Sequence, residues 1–266
     1  MSDRSTTRVR HELRLRLVDV AEVQRVTPHM IRITFGGEQL LGFTSLGFDD
    51  HLKVFVPPEG RPFHELPTLG PEGPAFNPGL PGPAMRDYTP WHFDPAALRL
   101  KLDFALHDAG PATAWALQAR KGEKLVIGGP RSSFVVGTAF DWHLLMGDDT
   151  ALPAIRRRLA ELPAGSRSRV FAEVDGPEDE EPFESRAQVE AHWVHRKNAG
   201  RGSSRLLDAL AAAHLSPGAY YAWVAAESSD AKAIRMALLA RGADPAALKA
   251  SGYWRRGSAA AHDVHD

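Results

Sequence analysis

The sequence predicts a two-domain α+β protein, with an antiparallel β-barrel over residues 1–138 and an α/β domain built on a parallel sheet over 139–266. Three observations carry this. In the first half, apolar residues recur at every second position between turn residues, as half-buried antiparallel strands require. In the second half, apolar strand-like runs alternate with helical stretches, which implies a parallel sheet with ligands at the carboxyl ends of its strands. Between them the composition shifts, at Gly137 to Asp141.

The chain has 266 residues, 43% of them hydrophobic, enough for two domains of ordinary size. Its formal net charge is -1. That gives no global basic field for nucleic acid or membrane, so neither is an expected partner, and any anion recognition must be local. No apolar run approaches the roughly 20 residues that span a bilayer. The start, Met1-Ser2-Asp3-Arg4, continues as polar sequence without the apolar segment of a signal peptide. The expected location is the cytoplasm and the expected state a monomer. There are no cysteines. This excludes disulfides, thiol nucleophiles and cysteine-ligated iron–sulfur clusters. Electron transfer would then need a bound organic cofactor.

The barrel strands follow in order. Leu13, Leu15 and Leu17 alternate with Arg14 and Arg16, and Ile31, Ile33 and Phe35 with Arg32 and Thr34. His51 to Val56 is a strand stopped by Pro57-Pro58. Prolines and glycines crowd Pro57 to Pro83, predicting a long irregular excursion, a flap or a mobile loop, with Phe63, Leu66 and Phe76 packing down. Leu98 to His107 alternates leucine and phenylalanine with charge, a strand with one buried face. It runs into Gly110, which permits a sharp turn, and Pro111, which suits a first helical position. The helix start after it is a natural pyrophosphate site or a plain strand-to-helix connection. Leu125 to Ile127 and Phe134 to Val136 complete the sheet.

Between the excursion and the Leu98 strand lies Arg86-Asp87-Tyr88-Thr89-Pro90. On an extended segment Arg86 and Tyr88 share one side and Thr89 takes the other. A cation, a ring and a hydroxyl suit a flat phosphorylated ligand such as a flavin nucleotide. The same residues also read as a surface arginine and a packing tyrosine.

In the second half, Trp142 to Met146 reads as a strand covered on both faces. Strands follow at Arg169 to Val174, Val189 to Val194 and Tyr220 to Ala225. Helices are expected from Ala151 to about Leu162, from Arg205 to His214, and from Ser228 to Arg241 with Gly242 as its stop. Arg156-Arg157-Arg158 reads as a solvated helix face and Glu178 to Glu181 as a solvated loop. His262 and His265 read as part of a disordered polar tail rather than metal ligands, and no metal site is expected. The loops at Gly147 to Thr150 and Ala226-Glu227-Ser228 are strand ends without the G-x-G-x-x-G fingerprint, so a nicotinamide cofactor would dock openly across them.

Taken together, the chain resembles the siderophore-interacting protein family, flavin-dependent ferric-siderophore reductases of the ferredoxin-reductase type. The resemblance rests on Arg86 to Pro90, Asp103 to His107, Gly110 to Ala116, Gly128 to Arg131, Gly147 to Ile155, Trp223 to Glu227 and Ser251 to Gly257, in the family's order along nearly the whole chain. It implies an FAD-binding barrel followed by an NAD(P)H-binding domain. It implies that Arg86, Tyr88 and Thr89 hold the phosphate, ribityl and ring region of FAD. His107 and the Ala112–Thr113 backbone would lie along its pyrophosphate and adenosine half with Trp115 packing nearby, and Asp103, Gly110 and Pro111 would also belong to the cofactor site. Gly147, Asp148, Thr150, Ala151, Leu152 and Glu227 would line the nicotinamide route, with Trp254 as a lid over the flavin or as core. Lys53, Arg131 and Arg255 or Arg256 would attract an anionic ferric chelate; Lys53 and Arg131 read equally well as ordinary surface cations. Three positions depart from the pattern: Trp91 stands for arginine, Ala226 for glycine and Asp149 for glutamate. The implied reaction passes electrons from NAD(P)H, or from a ferredoxin, through FAD to iron(III). A general NAD(P)H-flavin or ferredoxin reductase and a siderophore binder without turnover are the alternatives.

Overall fold

The computed structural model describes residues 4–59, 61–70, 73–76, 82–106, 110–196, 205–257 and 263–265. The chain forms two compact units. One comprises Arg8–Val26 and Met30–Phe134; the other comprises Val135 onwards with the described N-terminal residues up to Thr7 and the turn Thr27–His29.

The first unit is antiparallel. After β1 (Thr6–Arg10) come β2 (Leu15–Thr27), β3 (Met30–Gly36), β4 (Leu52–Val56), the short pair β5 (Thr68–Gly70) and β6 (Gly73–Ala75), β7 (Ala84–Tyr88), β8 (His92–Asp94) and β9 (Arg99–Ala105). Helix α1 (Pro111–Gln118), β10 (Lys124–Gly128) and β11 (Ser132–Val136) follow. Seven strands form one sheet in the order β7-β4-β10-β2-β3-β9-β8. The sheet curls until the Tyr88 ring of β7 lies 4.3 Å from that of Phe104 on β9. Val18, Val20, Ile33, Phe35, Val54, Leu100, Leu102, Phe104, Leu125 and Ile127 fill the interior.

Leu13 is exposed and Leu15 and Leu17 are only half-buried, whereas Arg16 lies on the core face with Val18 and Val20. Period-2 patterning fixes that two faces exist but not which of them is the core, and burying the arginine is the costlier choice. In the excursion, Phe63 and Phe76 pack at 5.8 Å and Phe76 reaches Phe55 at 5.5 Å, as expected, while Leu66 stays exposed.

The second unit carries a six-stranded sheet. Its strands are β12 (Trp142–Asp148), β13 (Arg167–Val174), β14 (Gln188–His195), β15 (Tyr220–Glu227), β16 (Leu248–Trp254) and β17 (Asp263–His265). They lie in the order β14-β13-β12-β15-β16-β17, all parallel except β17. Helices α2 (Leu152–Glu161), α3 (Leu206–Ala212) and α4 (Ser228–Ala240) connect them. All seven residues of β12 are buried, as a central parallel strand requires. The chain leaves β12 towards β13 on one side and later returns through β15 on the other. The ends of β12 and β15 therefore form a topological switch point, where open α/β sheets receive ligands.

Two solvated features of the sequence reading are corrected. Arg156, Arg157 and Arg158 of α2 are all buried. Arg156 pairs with Glu181 at 2.5 Å, Arg157 with Glu161 at 2.8 Å, and Arg158 donates to the Val136 and Gly137 carbonyls at 3.3 and 3.0 Å. The acidic run is corrected only in part: Glu178 and Glu180 are exposed, with Glu180 2.7 Å from His195, whereas Asp179 is buried against His29 at 2.7 Å. No described helix is long and apolar enough to cross a membrane.

Candidate functional site

In the first unit the site grows from β7. Arg86 opposes Val54, Asp87 opposes Lys53 and Tyr88 opposes Leu52. Val54 and Leu52 are core residues, so Arg86 and Tyr88 share the inner face and Asp87 and Lys53 the outer. Arg86 is half-buried, donates Nη1 to the Met85 carbonyl at 2.7 Å, and makes no ion pair among the described residues. Burial pushes the Tyr88 phenol pKa well up, so it stays a neutral hydroxyl. Thr89 is buried beside it.

A chain of rings ties this strand to α1. Tyr88 contacts Phe104, Phe104 lies 5.7 Å from Trp115 of α1, and Trp115 stacks on Phe35 at 6.4 Å. Two stretches separated in sequence, Arg86–Thr89 and Gly110–Trp115, are thereby brought together on one end of the barrel. Gly110 is the extended residue before α1, Pro111 occupies the first position, and among the described residues no side chain caps the helix. Its positive end is available to an anion. Ala112 and Thr113 are buried in this first turn. His107 falls outside the described residues.

Asp103 sits deeper. Its side chain is fully buried and takes both Arg32 Nε at 2.8 Å and Arg32 Nη2 at 2.9 Å. Trp91 donates its indole N–H to the same carboxylate at 3.1 Å, and Arg32 lies over the Trp91 ring at 4.4 Å. Trp91 thus occupies a cation–π and hydrogen-bonded place, with Lys101 5.9 Å from its ring. The cations next to Trp91 come from β3 and β9.

On the outer face, Lys53 closes an ion pair with Asp87 at 2.8 Å. Arg131 is exposed and makes no ion pair among the described residues.

In the second unit, Gly147 to Leu152 and Glu227 converge on the switch point, with Gly147 opposite Ala225. A Cβ on Gly147 would collide with Ala151 Cβ and stand 2.6 Å from the Ala225 carbonyl, so only glycine fits. Asp148 accepts from Thr150 N at 3.0 Å, Thr150 Oγ1 at 2.5 Å and Trp254 Nε1 at 2.7 Å. Ala151 and Leu152 are buried as α2 begins. Glu227 caps α4, accepting from Ser229 N at 2.8 Å and Asp230 N at 3.3 Å, and from Arg256 N at 3.3 Å. These amide bonds help hold its carboxyl pKa down against the opposing effect of burial. Arg256 pairs with Asp230 at 2.7 Å, while Arg255 is exposed.

Sequence reasoning missed a buried charge cluster at the ends of β12, β13 and β14. Arg196 meets Asp175 at 2.7 Å, Asp149 at 3.2 Å and Glu173 at 3.3 Å. One guanidinium shared by three carboxylates cannot compensate the burial of all, and Asp149 is pushed up to about 8. The signal was present only as acidic residues at successive strand ends. Next to it, His29 places Nδ1 2.7 Å from Asp179 and Nε2 3.7 Å from Asp175. The two ring nitrogens point apart and Asp175 already holds Arg196, so this trio is an imidazole held between carboxylates rather than a cation cage.

Comparison with known proteins follows the same division. Residues 19–134 match the model of the siderophore-interacting FAD-binding domain, and residues 140–257 that of the siderophore-interacting protein. The chain is 35% identical over 252 residues to an NADPH-dependent ferric-chelate reductase from Escherichia coli (strain K12), covering 93% of this chain and 95% of that one. It is 31% identical over 250 residues to the ferric vibriobactin reductase ViuB of Vibrio cholerae, covering 91% and 90%. The crystal structure of a siderophore utilization protein from T. fusca superposes with a TM-score of 0.85 at 34% identity, over 96% of this chain and 97% of that one. The fold is ferredoxin-reductase-like.

Proposed function

The chain belongs to the siderophore-interacting protein family, and on that premise we propose that it is an FAD-dependent oxidoreductase that reduces ferric siderophores and releases iron(II). The observation that carries the reading is the ring chain Tyr88–Phe104–Trp115, which sets the Arg86 strand beside the start of α1. Arg86 makes no ion pair among the described residues, and the α1 terminus offers a positive dipole end. A cation and a helix start on one barrel end fit the diphosphate of FAD, and Tyr88 and Thr89 extend the same surface.

Bound FAD supplies a carrier that accepts two electrons from a hydride donor and passes them on singly, as iron(III) requires. The protein then needs no catalytic acid or base. Arg86, Tyr88 and Thr89 bind and orient the flavin, with Gly110, Pro111, Ala112, Thr113 and Trp115 beside its diphosphate half. Gly147, Asp148, Thr150, Ala151, Leu152 and Glu227 form the floor for NAD(P)H, and Trp254 is fixed to that floor through Asp148. Lys53, Arg131, Arg255 and Arg256 supply positive charge for an anionic chelate. Hard oxygen ligands favour iron(III) over iron(II), so reduction loosens the metal. The enzyme works as a monomer in the cytoplasm, and a reduced ferredoxin is the second donor class.

An anaerobic half-reaction tests this. The purified protein carries flavin absorbance, NADPH, NADH or reduced ferredoxin bleaches it, and a ferric chelate restores it while a chromogenic trap collects iron(II). Colourless protein, or bleached flavin that a ferric chelate cannot reoxidise, would overturn the proposal. Light scattering during size exclusion tests the monomer.

A further inference from the structure

Arg16 stands on the core face of β2, in line with Val18 and Val20, and is 6% exposed. Among the described residues no carboxylate meets its guanidinium. Nε donates to the Gln39 carbonyl at 3.0 Å, Nη1 donates to the Gly129 carbonyl at 3.3 Å, and the Phe43 ring lies 5.4 Å from its central carbon. Burial, with Arg14 nearby, lowers its pKa. A buried cation without a counter-charge is costly, and an aliphatic residue would fill the space at lower cost.

What the cation grips is the turn after β10. Gly129 N donates to the Arg14 carbonyl at 3.1 Å, and the Arg131 carbonyl accepts from His11 N at 2.9 Å. With Arg16 on the Gly129 carbonyl, the segment 11–16 holds this turn at three main-chain points. Gly129 has φ 97, a conformation open to glycine and strained for other residues. The turn starts beside the proposed substrate face, because Gly128 opposes Lys53 in the pairing of β10 with β4. It ends at Arg131, which is exposed and makes no ion pair among the described residues.

We infer that Arg16 is a positioning residue for the iron chelate: it fixes the 129–131 turn so that Arg131, from this turn, and Lys53, from β4, present two cations to one anionic ligand. The inference rests on the proposed ferric-chelate reductase activity. It assigns the buried charge a task that hydrophobic packing would not serve, since charge-assisted bonds to carbonyls are stronger than neutral ones.

The test uses the flavin-loaded enzyme and two probes, ferric citrate as an anionic chelate and ferric tris-maltolate as a neutral one. Arg16→Met is expected to raise KM for ferric citrate about fivefold, the scale of a displaced surface charge. The expected kcat, flavin content and KM for the neutral chelate stay at wild-type values. In an Arg131→Ala background the same substitution should add nothing, because the residue it positions is gone. If Arg131→Ala raises KM for citrate while Arg16→Met does not, or if the two effects multiply, the positioning role is wrong and the substrate face stands. If Arg131→Ala leaves KM unchanged, the proposed substrate face itself fails and the inference with it. Arg16→Lys covers the case in which Arg16→Met does not fold: lysine keeps the charge but cannot bridge both carbonyls. It should raise KM for citrate by a smaller factor; wild-type KM with lysine overturns the inference.

Discussion

Lys53 and Asp87 face each other across β4 and β7 and close an ion pair at 2.8 Å, so the lysine proposed to draw in an anionic chelate is already held by a carboxylate. The pair is half-exposed, with side chains 49% and 18% accessible, which keeps it weak enough to yield to a ligand. Asp87→Asn removes the competing charge and keeps the shape. We expect KM for ferric citrate to fall about threefold and Lys53→Ala to raise it by a similar factor, the scale of an exposed ion pair. Steady-state kinetics at low salt and at about 1 M salt check this, because screening at a Debye length of about 3 Å should flatten both effects. Salt-independent effects would refute an electrostatic role.

Arg86 is the proposed diphosphate contact, and its own bond to the Met85 carbonyl leaves other guanidinium N–H groups for a ligand. Arg86→Ala should weaken FAD binding by about tenfold to hundredfold, the scale of one charge-assisted hydrogen bond or two. Flavin absorbance after desalting and a fluorescence titration of the apoprotein measure it. A variant that keeps its full complement of flavin would remove Arg86 from the site.

The legible parts of this protein were those in which pattern and partner lie close in sequence. β9 showed itself because Leu100, Leu102 and Phe104, all fully buried, recur at every second position. Arg86 and Tyr88 were visible as a pair because one strand carries both. Buried arginines were invisible, because sequence alone assigns charge to solvent. Arg158 donates to the carbonyls of Val136 and Gly137, and Arg16 to that of Gly129, more than a hundred positions away. The Arg196 cluster drew on the ends of three strands, and nothing local marks Asp149, Glu173 and Asp175 as neighbours. Trp91 looked like a missing cation; the fold shows an indole between Arg32 and Lys101 that shares the Asp103 carboxylate.

Asp103 therefore separates two roles. It was grouped with the flavin residues, yet one of its oxygens bonds Arg32 and Trp91 and the other bonds Arg32. Asp103→Ala removes the carboxylate that the largely buried Arg32 guanidinium and Trp91 share, and should cost about 3–5 kcal/mol of unfolding free energy. Urea denaturation of the apoprotein reads this without reference to activity. Unaltered stability with lost flavin would instead place Asp103 at the cofactor.

His143 on β12 is fully buried between Phe140 and Tyr221, and neither ring nitrogen has a hydrogen-bond partner among the described residues. Burial, with the charge of Arg158, lowers its pKa from 6.5 to about 3, so the folded protein holds it neutral. The unfolded chain binds a proton at His143 below about pH 6.5 and the folded chain does not, so stability falls as pH drops from about 6.5 towards 3. His143→Leu removes both the unpaired polar atoms and this linkage. It should stabilise the protein by about 1 kcal/mol at neutral pH and by more at about pH 5. Urea unfolding at the two pH values decides it: a gain that does not grow as the pH is lowered means that the imidazole is protonated in place or finds a partner, and that its burial is not the cost argued here.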